Sequence, residues 1–390
     1  MPPAKASSTW RTDGTGGYGL RPVSSRAPRV AVDGRTLQAR PPGGIGRTLA
    51  ALVPEIAERT DLDLLFDSRR PSARVDHVDA RAHSLRAPLS ARDAVWLQLT
   101  APRWLRGYDG VFHCPFYGLP YVQPVSMVVT IHDLTFEFAP DLFEPYKRFV
   151  FRRQARWAAR TARRILTPSE HVRSMVLERY ERYGVRPDGV VATSLPVDAT
   201  FRPRETDELT PRLEGLGIQR PYVVTLGGAV RRQLPVAIAA WRNALGAIGA
   251  DPRELPLLVV SGEAPPPEEG VIYAGTLDDD ALALVFAGAR AFCYATRYEG
   301  FGMPALEAAA SGTPVVCAPV GSLPEVLGDA AVWCDRPDPE SLGQGLASVL
   351  GDADRAAQLA EAGPARVRSM PSAGDVADVI VRAYREALKH

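Results

Sequence analysis

Long apolar runs, paired cysteines and surplus charge are all scarce in this sequence, and each shortage removes a class of protein. No apolar stretch reaches the roughly 18–20 residues that a membrane helix requires, and the first residues lack the apolar core of a secretory signal. The cytoplasm is therefore the expected location. The four cysteines, Cys114, Cys293, Cys317 and Cys334, include no Cys-x-x-Cys pair, so neither a local zinc knuckle nor a disulfide framework is expected. Cys293 and Cys317 sit in apolar runs and read as buried thiols. Lys and Arg number 46 against 45 Asp and Glu, which leaves no net basic face for nucleic acid. No Gly-x-Ser-x-Gly, His-Glu-x-x-His or Walker sequence occurs, so hydrolase and ATPase readings lack their residues.

What is present is the composition of a globular enzyme: 390 residues, 46% apolar and 23% charged. That length favours two domains. Residues 1–27, rich in Ser, Gly, Pro and Thr, read as a disordered leader. Short apolar runs then alternate with amphipathic stretches. Strands are expected at Val30–Val32, Leu64–Phe66, Val111–His113, Val128–Ile131 and Ile165–Thr167, with helices at Thr48–Glu58 and Pro145–Ala162. The second half repeats the theme at Tyr222–Leu226, Leu257–Val260, Val271–Tyr273, Ala291–Tyr294, Val315–Cys317 and Ala331–Trp333. Its helices are expected at Leu234–Leu245, Asp280–Ala289, Pro304–Ala310 and Glu340–Leu350. Such β–α alternation argues parallel sheets covered by helices on both faces. The turn-rich stretch Ser194–Pro203 reads as a linker, which divides the chain into domains 28–200 and 201–373. A last helix, 374–390, is placed to pack back on the first domain. The expected fold is α/β, two Rossmann-like doubly wound domains facing across a cleft, with ligands at the carboxyl ends of the strands.

The strongest chemical signal is Arg297-Tyr-Glu-Gly-Phe-Gly-Met-Pro-Ala-Leu-Glu307, between the strand Ala291–Tyr294 and a helix beginning near Pro304. Proline suits the first turn of a helix, where its missing N–H has no intrahelical partner to lose. Gly300 and Gly302 let bare backbone amides approach a ligand, and a helix N-terminus offers N–H groups to phosphate oxygens. Carboxylates such as Glu299 and Glu307 accept hydrogen bonds from the vicinal hydroxyls of sugar and ribose. A second signal, Thr225-Leu-Gly-Gly-Ala-Val-Arg-Arg-Gln-Leu-Pro235, puts Gly227 and Gly228 after a strand and two arginines at the head of a helix. Guanidinium groups match phosphate oxygens in pairs and keep their charge at any working pH. Gly43-Gly-Ile-Gly-Arg47 reads as a glycine turn before the first helix, able to cradle phosphate through its N–H groups. Thr130-Ile-His-Asp133 closes an apolar strand. There His132 reads either as a partner for a sugar hydroxyl, oriented by Asp133, or as a structural loop residue. His113 is a further residue for the cleft lining, His171 begins a helix with Ser169, and His77, His83 and His390 read as surface.

The stretch Tyr298–Leu327, with Gly-Phe-Gly-x-Pro, Gly312-Thr-Pro-Val and Ser322-Leu-Pro-Glu-Val-Leu327, resembles the signature of the family 4 retaining glycosyltransferases, and the resemblance extends from about Val30 to Leu350. It implies the GT-B fold, a nucleotide-diphosphate sugar as co-substrate, and neither metal nor other cofactor. By that resemblance Glu299 and the backbone of Gly300, Phe301 and Gly302 hold the donor sugar, and Glu307 holds the ribose. Met303 and Pro304 lie near the diphosphate, Arg231 and Arg232 clamp it, and the loop of Gly43, Gly44 and Gly46 touches diphosphate and acceptor. His132 matches a histidine near the donor sugar. The implied catalytic set is His132, Asp133, Arg231, Arg232 and Glu299. The sequence departs from the family at Gln233, at the short connection between Glu263 and Val271, in the linker, which lacks the family's glycine before Val197, and at Ala295-Thr-Arg297.

The run His132-Asp-Leu-Thr-Phe-Glu137 looks most like the mannosyltransferase branch, which puts GDP-mannose first as donor and a UDP-sugar second. The expected acceptor is a glycan, a lipid-linked sugar or a natural product. Two alternatives stand beside transfer: a catalytically silent partner subunit, and a nucleotide-sugar epimerase or sugar-phosphate synthase on the same fold. Asp278-Asp-Asp280 imitates a metal-binding Asp-x-Asp, but its place before a helix favours a cap. Residues 145–164 crowd eight Lys and Arg with Phe149, Phe151 and Trp157. They read either as a solvated helix or as a peripheral contact with an anionic membrane.

Overall fold

Buried on both faces, a parallel strand has no polar side to show, so it reads as an unbroken aliphatic run. A computed structural model of the protein describes residues 27–39, 43–71, 78–87, 95–228, 231–264 and 267–389. In it the apolar runs become strands, and Val30, Ala31 and Val32 are fully buried in β1. The first sheet contains β1 (Arg29–Asp33), β2 (Asp61–Asp67), β3 (Arg81–Leu85), β4 (Val111–Cys114), β5 (Ser126–Thr130), β6 (Arg164–Thr167) and β7 (Val190–Ala192), ordered β3-β2-β1-β4-β5-β6-β7. The second contains β8 (Val223–Leu226), β9 (Leu257–Val260), β10 (Val271–Gly275), β11 (Ala291–Tyr294), β12 (Val315–Cys317) and β13 (Ala331–Trp333), ordered β10-β9-β8-β11-β12-β13. Every pairing within both sheets is parallel. In each, the strand order reverses beside the first strand, between β1 and β4 and between β8 and β11, where doubly wound sheets open a ligand crevice.

The helices used below are α1 (Gly44–Arg59), α2 (Ala101–Leu105), α3 (Thr135–Phe138), α4 (Pro145–Thr161), α5 (Glu170–Tyr180), α6 (Thr206–Gly215), α7 (Leu234–Ile248), α8 (Asp279–Gly288), α9 (Met303–Ala310), α10 (Leu323–Leu327), α11 (Pro339–Leu350), α12 (Ala353–Ser369) and α13 (Ala373–Leu388). The chain forms two compact units, one running to Pro196 and resuming at Pro371, the other spanning Val197–Met370. Residues 1–26 of the expected leader lie outside the described residues.

Among the elements that escaped the pattern reading are β3, β7, α6 and α12. β3 is Arg-Ala-His-Ser-Leu, with no apolar run, and it is held from the side: Arg81 and His83 both bond the buried Asp63 of β2. Burial alone would raise the Asp63 carboxyl, but bonds from His83, Arg81 and Tyr108 hold it below the usual carboxylate range. His83 is thus a buried partner, not a surface residue. β7 has three residues, too few for alternation. Helices α6 and α12 offer few apolar positions, and α12 buries only Gly363. That glycine matters because a Cβ there would overlap the Ala309 carbonyl, so α12 lies close against α9.

Helix α13 completes the first unit. A capping box between Ser372 and Asp375 starts it, and Val376, Ile380, Val381 and Tyr384 enter the core formed by α1, β1, β2 and β4. Ion pairs from Arg59 to Asp378 at 2.7 Å and from Arg164 to Glu386 at 3.0 Å fasten its outer side. Partly exposed pairs of this kind contribute about 0–1 kcal/mol each, so the apolar face dominates. We therefore expect Ile380→Ala to cost about 2–5 kcal/mol and Asp378→Asn under about 1 kcal/mol in urea unfolding of the full chain. The reverse ranking would contradict this packing account.

Candidate active site

In the second unit the site begins where β8 ends. Gly227 follows the strand, and a Cβ on it would crowd Ser261 Oγ at 2.9 Å, while Gly228 has φ of +84°. Residues 229–230 lie outside the described residues. The chain then returns along the end of β11. Arg232 forms an antiparallel bridge with Thr296, Arg297 N–H donates to the Arg231 carbonyl at 3.0 Å, and Gln233 N–H to the Ala295 carbonyl at 2.8 Å. This backbone clip sets both arginines beside the glutamate motif at the reversal of strand order.

Glu299 is 4% exposed and would be costly to bury as a bare charge. Its Oε1 accepts from Tyr294 Oη at 2.5 Å and from Arg231 Nε at 3.1 Å, with Thr296 Oγ1 at 3.5 Å. Behind it, Ser322 donates to the Glu299 carbonyl through both N–H and hydroxyl, at 3.0 and 3.2 Å. Gly321, at φ of +60°, lies so near that any Cβ would overlap that carbonyl. Tyr294, Thr296, Gly321 and Ser322 are thus the site residues that sequence reasoning left without roles. Tyr294 ends a strand and looked like core, and Ser322 belongs to a quoted motif whose contact is 23 residues away.

Gly302 caps α9 with φ of +91°, and a Cβ there would overlap Leu323 of α10. Pro304 follows Met303 at the second helical position, and the N–H groups of Ala305 and Leu306 bond the Gly302 carbonyl. The donors for an anion at this end therefore belong to the turn from Gly300 to Met303, a narrower source than the whole helix terminus expected from the sequence. Phe301 is buried and anchors the turn, so its contribution to a ligand is through backbone. Glu307, 1% exposed, sits one turn into α9. Asp278 caps α8 by accepting from the Ala281 N–H at 2.9 Å, and Asp279 and Asp280 lie in the helix's first turn, where acidic residues complement its dipole.

In the first unit, Gly43 is the N-cap of α1 and Gly44 its first residue, both open to solvent on their Cβ side. Gly46 lies inside the first turn, and Arg47 N–H already bonds the Gly43 carbonyl. The expected glycine turn before the helix is thus corrected: only Gly43 is outside it, because α1 begins four residues earlier than its apolar period. Residues 40–42 lie outside the described residues. His132 follows β5 and donates from Nε2 to the Pro115 carbonyl at 2.9 Å, beyond the end of β4. Asp133 does not orient it by a hydrogen bond; its Oδ1 instead accepts from the Thr135 N–H at 3.0 Å, an Asx turn that starts α3. Burial lowers the His132 pKa, against the opposing pull of the Pro115 carbonyl and Asp133, so the ring is neutral. His113 is a buried bridge between Tyr384 Oη at 2.7 Å and Thr130 Oγ1 at 2.8 Å, not a lining residue, and burial pushes its pKa down to about 3. His171 does open α5 behind Ser169, whose hydroxyl caps it.

Two all-parallel Rossmann-like units, one presenting arginines and carboxylates at the switch point of its sheet, define the GT-B class of sugar-transferring enzymes. Residues 42–201 match Glycosyltransferase Family 4, and residues 263–366 match Glycosyl transferases group 1. The chain is 27% identical over 339 residues to the O-antigen chain mannosyltransferase B of Escherichia coli, covering 79% of this chain and 87% of that protein. It is 25% identical to the alpha-maltose-1-phosphate synthase of Mycolicibacterium smegmatis, across 92% and 99% of the two chains. The sucrose-phosphate synthase structure from Thermosynechococcus elongatus superposes with a TM-score of 0.69 at 18% identity, over 92% of this chain and 98% of that one. The chain belongs to the family 4 glycosyltransferases.

Two outcomes follow. Gly302→Ala forces a left-handed residue against Leu323, so we expect a loss of about 1–2 kcal/mol from backbone alone, read as a lower thermal midpoint; an unchanged midpoint would remove the constraint. The two neutral histidines stay unprotonated in the fold, while the unfolded chain protonates them near pH 6.5. Their stabilisation is complete above that pH and drains as pH falls below it, for His113 down to about pH 3 and by up to about 1.4 kcal/mol per unit, with His132 losing stability in the same direction. Urea midpoints at pH 7 and 5 should therefore diverge less in His113→Gln than in the wild type; equal slopes would contradict the assignment.

Proposed function

We propose that the chain is a retaining, metal-independent hexosyltransferase that uses a nucleotide-diphosphate sugar, with GDP-mannose the first candidate and a UDP-sugar the second. The observation that carries the reading is the clip that brings Arg231, Arg232 and Glu299 to one strand end. In this reading the diphosphate lies against the two arginines and the turn Gly300–Met303, with Gly227 and Gly228 leaving room for it. Glu299 takes sugar hydroxyls and Glu307 the ribose. As the bond from the anomeric carbon to the phosphate breaks, its electron pair goes to the departing diphosphate, whose charge the arginines stabilise. The acceptor hydroxyl attacks from the same face and passes its proton to that phosphate oxygen. The first unit serves the acceptor, with neutral His132 offering a ring nitrogen to a hydroxyl.

The mannosyl preference draws on the E. coli relative, named as a mannosyltransferase. The reading places the enzyme in the cytoplasm. Among the described residues no helix is long and apolar enough to cross a membrane.

A thermal-shift screen with GDP-, UDP-, ADP- and TDP-sugars tests the donor, because a ligand at about 100 times its Kd adds roughly 2.7 kcal/mol. Silence toward all four would sink the reading. Arg231→Ala with Arg232→Ala should lower turnover by ~10²-fold or more, measured as nucleoside diphosphate release with and without acceptor. Full rate at saturating donor would remove the clamp, and release that ignores the acceptor would exclude transfer.

A further inference from the structure

Helix α4 carries Arg148, Arg152, Arg156 and Arg160 four residues apart, which puts them on one face, and Arg153 on the strip beside it. All five line one hollow of the first unit, about 540 Å3 in volume, together with the rings of Phe149 and Trp157. That size suits a small ligand. The fold supports so many like charges with a single buried carboxylate. Glu137 of α3 has no exposed side-chain surface and lies 2.9 Å from Arg152 Nε, 3.8 Å from Arg156 Nε and 2.7 Å from Arg179 Nη2. One negative charge thus answers three guanidiniums. The others have no carboxylate: Arg148 donates to the Phe136 carbonyl, Arg153 reaches the Tyr121 hydroxyl at 3.3 Å, and Arg160 makes no ion pair among the described residues. The acidic neighbour at the start of the helix, Glu144, pairs with Lys147.

We propose that this hollow is a phosphate-binding site for the acceptor, so that the molecule receiving the sugar carries a phosphate or pyrophosphate group. The inference deepens the proposed transfer and rests on it. Three features select the ligand. The surplus charge is arginine, whose planar fork matches phosphate oxygens in pairs. Arg152 and Arg156 are recessed, at 28% and 34% exposed, held by Glu137 through or near Nε, so that a ligand has to enter the hollow instead of lying flat across it. Phe149, 63% exposed, stands at the rim and gives the apolar face of a sugar or a hydrocarbon somewhere to rest beside the phosphate. A second hollow beyond the end of the helix shares Arg160 with the first, but there Arg164 pairs with Glu386 and Arg186 with Asp188, so the surplus of positive charge belongs to the first hollow. None of these arginines belongs to the donor clamp of the second unit.

The test is calorimetric titration of the full chain with inorganic pyrophosphate, with GDP and UDP present to fill the donor clamp. Wild type is compared with Arg153→Gln/Arg160→Gln, two residues outside the Glu137 cluster. We expect saturable binding in the wild type and a Kd at least about tenfold weaker in the variant, the loss of charge-assisted bonds worth about 1.4 kcal/mol or more. A parallel flotation on phosphatidylcholine vesicles doped with phosphatidic acid separates the sources. Flotation displaced by pyrophosphate identifies a lipid-borne phosphate, and pyrophosphate binding without flotation identifies a soluble phosphorylated acceptor. Absent pyrophosphate binding, an unchanged Kd in the variant, or flotation that pyrophosphate leaves intact would each overturn the proposal, the last by marking the arginines as a flat membrane face. The donor-sugar thermal shift is read on the same two proteins: its persistence in the variant shows a folded chain, and its absence from the wild type defeats the transfer reading separately from this one.

Discussion

A carboxylate nearly out of reach of water is the constraint around which the second unit is organised. Glu299 needs compensation where it sits, and its Oε1 receives a hydroxyl hydrogen bond from Tyr294 and a guanidinium one from Arg231, with Thr296 close by. Removing one partner of such a buried cluster leaves the charge exposed to a low dielectric, so the members stand or fall together. The cluster in turn demands the backbone clip of residues 231–233 along 295–297, since without it Arg231 would have no reason to stay at that strand end. Glycine appears where this assembly leaves no volume, at Gly302 against Leu323 and at Gly321 against the Glu299 carbonyl.

The first unit solves a similar problem with neutral groups. At the ends of β4 and β5, His132 is tied to the Pro115 carbonyl and His113 bridges Thr130 and Tyr384. Burial keeps both rings uncharged, which suits hydrogen bonding to hydroxyls. Tyr384 comes from α13, a helix that follows the whole second unit in sequence. The chain's last segment is therefore part of the first unit's core and touches the hydrogen-bond chain that reaches the end of β5. Charge is kept instead on α4, where Glu137 props up a bank of arginines on the same unit.

Much of the fold was legible because parallel strands announce themselves as aliphatic runs and their crossover helices as amphipathic stretches. The donor motif was legible for a different reason. Gly300, Phe301, Gly302 and Pro304 encode a turn and a helix start through local backbone preferences, which need no partner to be read. The readings that needed correction depended on distant groups. His83 reads as surface in the sequence because Asp63, its partner, lies 20 residues away on the neighbouring strand. Adjacency in sequence points Asp133 at His132, but the Thr135 N–H is the donor its carboxylate accepts from. Helix α12 gave no apolar period because the one residue it buries fully is a glycine, Gly363, set close against α9.

The sequence by itself determined the class of fold, the order of most strands and helices, the turn that opens α9 and the residue types available to grip a phosphorylated sugar. Those are properties of hydrophobic period and backbone dihedral preference, and both act over a few residues. Only the tertiary structure decided which arginine meets Glu299, which histidine is a bridge, and how one carboxylate on α3 gathers the guanidiniums of α4 and α5. Hydrogen bonds and ion pairs are short-ranged, so their partners are set by what the sheets bring within about 3 Å, and spacing along the chain carries no record of that.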